Sequence, residues 1–404
     1  MQTLSIRGFL GIDSADIKLD SVTILIGEQA TGKSVIARLV YFFNEYFANF
    51  DEISLSKNEH KSTYDKKKKN EFCQIFPTYS WEESKFDITF SNELHSITIS
   101  SNTRSSVIDL KTSPSVATYF RNLKKDFSRF HEQMSSVESI PYSQLRILRE
   151  FRRAQEENNI HRYESPLFVP AARSFYATIR DEIFSILALD NKIDNIILQF
   201  GEFYESAKLR RVPYTTISPR HNYRPVSAKV ENNYFERIVK GQLIREDGRD
   251  WIAMDRGKIE LSKASSGQQE AIPLLVAISR FPQEGRTLII EEPEAHLFPS
   301  AQVQVLDYIL RQAKTRKTGI LFTTHSPYLL SATNNYILRS KLSEPTAGRS
   351  IDGNRINVYC LSDSKAQSLI DEETGLISAD YIDSVSVDIA TEFEQILEAI
   401  NESQ

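Results

Sequence analysis

Residues Gly27-Glu28-Gln29-Ala30-Thr31-Gly32-Lys33-Ser34 spell the phosphate-loop pattern G-x-x-x-x-G-K-[ST] without a mismatch. An apolar, strand-like run, Val22-Thr23-Ile24-Leu25-Ile26, leads into it, and a helical-looking run from Val35 to Phe47 leads out. That strand–loop–helix setting is what the motif needs. Glycines let the backbone wrap an anion closely, and successive N–H groups at a helix start point at it. In this pattern Lys33 neutralises charge on the β- and γ-phosphates, and Ser34 holds Mg²⁺ through its hydroxyl. Gly27, Glu28, Gln29, Ala30, Thr31, Gly32, Lys33 and Ser34 are therefore the expected nucleotide cradle.

The rest of the chain must supply a sheet around that unit. Its 404 residues suit one large α/β domain with an insertion, or two domains. Short strands are expected at Leu4–Ile6, Asp16–Leu19 and Val22–Ile26, and a hairpin at Phe86–Phe90 with Ser96–Ile99. The polar stretch Asp51 to Asn70, ending in Lys66-Lys67-Lys68-Lys69, reads as a solvated loop rather than a basic binding patch. Helical patterns cover about Ser115 to Asn158 and about Tyr176 to Lys208, with a strand at Leu167-Phe168-Val169 between them. Residues 209–234 read as irregular and basic, with Arg210, Arg211, Arg220 and Arg224 near Tyr214 and Tyr223. Farther on, Thr287–Ile290 and Gly319–Thr323 are compact apolar runs, each after a helix-like segment, as parallel strands with crossover helices require. The end, Ile377 to Ile400, reads as a strand–helix finish. A net charge of −5 gives no global support for nucleic-acid binding. Cys73 and Cys360 form no CxxC and no disulfide framework, so a reducing cytoplasm is expected. No apolar run approaches the length of a membrane span.

Three further segments carry chemistry. Leu288-Ile289-Ile290 runs into Glu291-Glu292-Pro293-Glu294. A buried strand holds its last residues rigidly at the carboxyl edge, where one acid can reach Mg²⁺ and the next can orient or deprotonate water. Thr323-Thr324-His325-Ser326-Pro327 ends another apolar run; its imidazole either caps the next element or senses a γ-phosphate. Ala264-Ser265-Ser266-Gly267-Gln268-Gln269 precedes an apolar helix from Ile272. Small residues and hydroxyls there make an anion site, and a plain serine N-cap would leave the same trace.

The order of these four motifs resembles the ATP-binding-cassette ATPases, and more closely their soluble branch of SMC, Rad50, RecF and OLD-like proteins. Ala264 to Gln269 resembles the signature motif of that family, with Ser266 and Ala264 departing from its usual Leu-Ser-Gly-Gly-Gln. TLIIEEPEAHLFP (Thr287 to Pro299) is similar to the Walker B and D-loop segment of OLD-like and defence ATPases, and FVPAAR (Phe168 to Arg173) to a Pro-Ala-x-Arg element of the same group. The opening, LSIRGFLGI…IKLDSVTILIGEQATGKS, is similar to their N-terminal meander.

The resemblance implies an α/β fold: an N-terminal antiparallel meander plus a mostly parallel sheet with flanking helices, interrupted by a mainly helical insertion. The expected parts are 1–110, with the phosphate loop; the insertion 111–235; and 236–404, with the other motifs. It implies ATP and Mg²⁺ as cofactors. Glu292 would be the catalytic glutamate, His325 the switch histidine, Lys33 a catalytic lysine, and Ser34 with Glu291 the metal-holding pair. Ser265, Ser266, Gly267 and Gln268 would contact the γ-phosphate held by a second copy, so a head-to-tail homodimer is expected. The motifs do not place the Q-loop glutamine; Gln74 is a weak candidate for it. The nearest functional likeness is to ATPase subunits of anti-phage systems such as Septu and PARIS, which control a separately encoded effector, a nuclease or toxin. A DNA-clamp ATPase of the Rad50/RecF kind is the alternative, with DNA met by the basic stretch. A transporter subunit fits least.

Overall fold

The structure, a computed structural model, describes residues 1–50, 55, 59–102, 106–137, 144–157, 163–178, 194–209, 228–342, 351–378 and 390–396. Alternating apolar residues build its first part. Strand β1 (Gln2–Phe9) buries Leu4, Ile6 and Phe9, and β2 (Ile12–Leu19) buries Ile12, Ala15, Ile17 and Leu19. Strand β3 (Val22–Gly27) is buried at every position, as a central strand covered on both faces must be. The hairpin β4 (Phe86–Ser91) and β5 (Ser96–Ser101) forms as expected, and β6 (Asp109–Thr112) extends it.

Strands β7 (Leu167–Val169), β11 (Thr287–Glu291) and β12 (Gly319–Thr324) run parallel to β3, as does β13 (Ile356–Ser362) on its other side. Strand β14 (Lys365–Ser368) turns back from β13 and bridges to β2. The outcome is one eleven-stranded sheet in the order β6-β5-β4-β1-β2-β14-β13-β3-β12-β11-β7. An antiparallel meander and a mostly parallel half are thus continuous. A separate three-stranded sheet, β8 (Gln242–Glu246), β9 (Arg249–Met254) and β10 (Gly257–Glu260), was not legible as strands.

The period of two divides the core. Leu25, Ile289 and Leu321 point to one face, where α1 (Lys33–Asn49), α2 (Lys61–Ile75), α3 (Pro114–Val137) and α4 (Gln144–Glu157) pack. Val22, Ile24, Ile26, Leu288, Ile290, Ile320 and Phe322 point to the other. That face is covered mainly by α6 (Asn195–Leu209), α7 (Ala228–Val239), α8 (Ser266–Arg280), α9 (Pro299–Arg316) and α10 (Pro327–Ser340), with the short α5 (Phe175–Thr178) beside them.

Some expectations change. Much of the polar stretch read as a loop is helix α2, because Tyr64, Lys68, Phe72 and Ile75 recur at helical spacing and are buried. Lys68 is 1% exposed and pairs with Glu71 at 2.8 Å and Glu45 at 3.7 Å, so the lysine run hides one core residue. Within 111–235, β7 is an edge strand of the main sheet, so that segment is helical but not wholly separate from the core. At the C-terminus Ile377 makes only an isolated bridge to Ile370, and 390–396 are helical. Of the stretch read as irregular and basic, residues 210–227 lie outside the described residues, and 228–234 belong to helix α7 instead. No helix among the described residues is long and apolar enough to cross a membrane.

Candidate functional site

Parallel register builds the site. Leu25 of β3 pairs with Thr323 of β12, which pairs with Glu291 of β11. The three strands therefore end level, and the 27–34 loop, the Thr324–Ser326 corner and the turn after Glu291 leave from one carboxyl edge. Ligands of open α/β sheets bind there.

Gly27 and Gly32 have φ of +154° and +100°, and a Cβ on Gly27 would lie 2.5 Å from the Leu361 carbonyl oxygen. Only glycine suits that turn. Lys33 is 6% exposed, and its Nζ donates to the carbonyls of Gly27 at 2.8 Å and Glu28 at 2.6 Å. Burial draws the ammonium below its ordinary pKa, while the carboxylates of Glu292 and Glu294 oppose that drift. Ser34 is exposed at the start of α1, which has no side-chain cap. Its leading N–H groups are thus available to an anion.

Glu291 closes β11 at 8% exposure, and no described residue gives its carboxylate a hydrogen bond or salt bridge. A buried acid of this kind suits a hard cation, and oxygen donors such as the Glu291 carboxylate and the Ser34 hydroxyl are the type that Mg²⁺ takes. Glu292 follows with φ of +43°, its N–H donating to the Thr323 carbonyl at 3.0 Å. That turn lifts its side chain out of the sheet. Its Oε1 lies 3.5 Å from Nε2 of His325, both side chains being more than a third exposed.

Sequence reasoning left three residues of this edge without a role. Glu294 accepts from Thr324 Oγ1 and from the His325 N–H, each at 2.7 Å, so it ties the corner carrying His325 to the turn carrying Glu292. Its other oxygen is buried without a partner, and burial raises its pKa above the usual carboxylate range. The folded chain then keeps a proton that the unfolded chain has released, and stability falls as pH rises through that window. Glu294→Gln has no proton to lose. Its melting temperature without nucleotide should gain on the wild type as pH rises above the ordinary carboxylate range, about 4; a constant gap would show that Glu294 ionises freely.

Arg173, the end of the Pro-Ala-x-Arg element, is 0% exposed. Its Nη1 donates to the carbonyls of Pro170 at 3.1 Å and Glu291 at 2.7 Å, and its Nη2 to that of Glu292 at 3.0 Å. Its Nε donates to the Glu270 carbonyl at 3.1 Å. The Glu270 carboxylate in turn accepts the N–H groups of Arg173 at 3.0 Å and Ser174 at 2.9 Å. The signal was present in FVPAAR, but which groups the guanidinium meets depends on β7 lying beside β11. Gln74 is exposed on α2; the residues that follow the edge strand are Pro170 to Arg173.

Ser265 caps α8, and with Gln268 it forms a reciprocal capping box. Ser265 and Ser266 are exposed, and Gln268 also donates to the Val239 carbonyl at 2.9 Å. A Cβ on Gly267 would lie 2.8 Å from the His296 carbonyl, so the glycine permits close packing of α8 on the turn after Glu291. Among the described residues, no hydrogen bond links Ser265 to Gln268 with the 27–34 loop. One edge thus gathers the loop, Glu291, Glu292 and His325, while the Ser265 segment is bonded elsewhere.

The AAA ATPase domain family model matches residues 1–330. No curated protein matches the chain. Solved structures similar to it include an SMC head bound to the C-terminal winged-helix domain of ScpA, at 11% identity over 91% of this chain and 95% of that one, with a TM-score of 0.45. The SMC head domain from Thermotoga maritima is also 11% identical, over 91% and 97% of the chains, with a TM-score of 0.37. A Pyrococcus furiosus Smc head with an extended coiled coil, bound to the ScpA C-terminal domain, is 11% identical over 96% and 100%, with a TM-score of 0.40. With phosphate loop, paired acids and histidine on one sheet edge, and with the family match spanning most of its length, the chain belongs to the AAA ATPase domain family.

Proposed function

We propose that this chain hydrolyses ATP to ADP and phosphate with Mg²⁺ when two copies close head to tail. The cycle would govern a separately encoded effector, a nuclease or toxin, in cytoplasmic defence against phage. The 3.5 Å approach of His325 to Glu292, beside the level ends of β3, β12 and β11, carries the catalytic part of the reading. In it the loop N–H groups and Lys33 bind the phosphates, and Ser34 with Glu291 holds the cation. Glu292 takes the proton of the attacking water, and His325 keeps its carboxylate in place. Bound Mg²⁺ supplies neutralisation of phosphate charge.

The exposed cap of α8 supports the dimer. Ser265, Ser266, Gly267 and Gln268 form a second anion cradle that bonds nothing in the loop of its own chain, and a facing copy would bring a phosphate to it. ATP then favours the closed pair, and hydrolysis removes that preference. The likeness of Thr287–Pro299 and Phe168–Arg173 to defence ATPases supports the effector role.

Ser265→Arg tests the pairing. Single chains should bind ATP as before, and turnover should fall by roughly 10²-fold or more, since the partner's phosphate loses its donors. Normal hydrolysis by that variant would end the trans-site reading. Copurification with the product of an adjacent gene, strengthened by ATP, would support the effector; its absence under ATP and ADP alike would count against it.

A further inference from the structure

The buried network around Arg173 satisfies more than local packing requires. Apart from the local bond to the Pro170 carbonyl, the guanidinium contacts join two things: the helix capped by Ser265, and the strand end that carries Glu291 and Glu292. Glu270 lies on the first turns of α8, five residues after the cap. Its carboxylate grips the backbone of Arg173 and Ser174, and the guanidinium of Arg173 reaches the carbonyls of Glu291 and Glu292 at 2.7 and 3.0 Å. Glu292 has φ of +43°, and its carbonyl accepts both the Ala295 N–H and Arg173 Nη2, each at 3.0 Å, so the guanidinium is a second tie on that turn. A planar, fully charged guanidinium with several fixed donors transmits displacement where a flexible lysine would not. Gly267 packs on the His296 carbonyl from the other side, so the start of α8 touches the same turn twice.

We infer that Glu270 and Arg173 form a strut that makes the geometry of Glu292 depend on the position of the Ser265–Gln268 segment in the same chain. Arg173 is a positioning residue, acting through the backbone of Glu292. The inference rests on the paired reading above. In that pair the Ser265 segment of one copy meets the nucleotide of the other, while its Glu292 serves its own nucleotide. The strut therefore couples the two sites: a copy hydrolyses its ATP only when its partner is also loaded.

Mixed dimers test this with full-length chains. A wild-type copy paired with a Lys33→Ala copy, isolated through two affinity tags, has one loaded site whose phosphate contacts are complete. Independent sites would give half the turnover of the wild-type pair. The strut predicts about a tenth or less, in line with couplings of 5–150-fold. When both copies also carry Glu270→Gln, the ratio of mixed to matched dimers should return to half, with ATP affinity within about two-fold of wild type and a lower kcat. A wild-type ratio of half overturns the strut and leaves the pairing reading standing. Turnover per chain that is independent of protein concentration and proportional to the active copies removes the pairing reading, and the strut with it. If Glu270→Gln does not fold, the wild-type mixture still decides.

Discussion

Replacing Glu292 with glutamine is expected to leave ATP binding intact and to slow hydrolysis by roughly 10²–10⁴, the span for a group that takes or orients a proton. The isosteric amide keeps the turn, because the backbone of Glu292, through its bonds to Thr323 and Arg173, makes that conformation. It also keeps an oxygen facing His325, 3.5 Å away in the wild type. Only the capacity to accept a proton is lost. ATP binding by equilibrium titration and single-turnover hydrolysis separate the two effects. Unchanged turnover would move the catalytic base elsewhere on the edge. Slower hydrolysis with greatly weakened binding would make Glu292 a ligand of the nucleotide complex instead.

Arg173→Met is expected to cause the largest loss of stability, about 3–5 kcal/mol, because it leaves the buried Glu270 carboxylate without its counter-ion and takes a charged donor from the carbonyls of Glu291 and Glu292. Burial already pulls the Arg173 pKa down, opposed first by Glu270 and then by the acids of the 291–294 turn. The charge persists because those groups surround it. Removing both charges, as Arg173→Met with Glu270→Met, should recover a large part of the stability, since well-packed apolar residues often replace a buried pair at little cost. It should not recover turnover. Denaturation midpoints and kcat, measured on both variants, test this pair of outcomes. Full recovery of turnover in the double variant would reduce the network to packing.

Local pattern made much of this molecule readable. The loop from Gly27 to Ser34 needs particular residue types at fixed spacing, and the alternation in β1, β2, β4 and β5 marks one buried face. The buried runs in β3, β11 and β12 mark strands covered on both. Where polar residues occupy core positions the pattern failed. Lys68 breaks the apolar stripe of α2, although its long stem packs in the core and its charge finds Glu71 and Glu45. Short strands such as β8 to β10 are half-exposed and carry charges on both faces, so their alternation is faint.

Sequence alone determined the phosphate loop, the acid pair and the strand-end histidine, because each is a contiguous segment whose chemistry lies in its own residues. Tertiary structure decided what stands beside what. The level ends of β3, β12 and β11 bring Glu292 to His325, Glu294 to Thr324, and Arg173 to two carbonyls more than a hundred residues away. Those contacts depend on parallel strand order, which crossover connections set over long stretches of chain, and no local spacing records it.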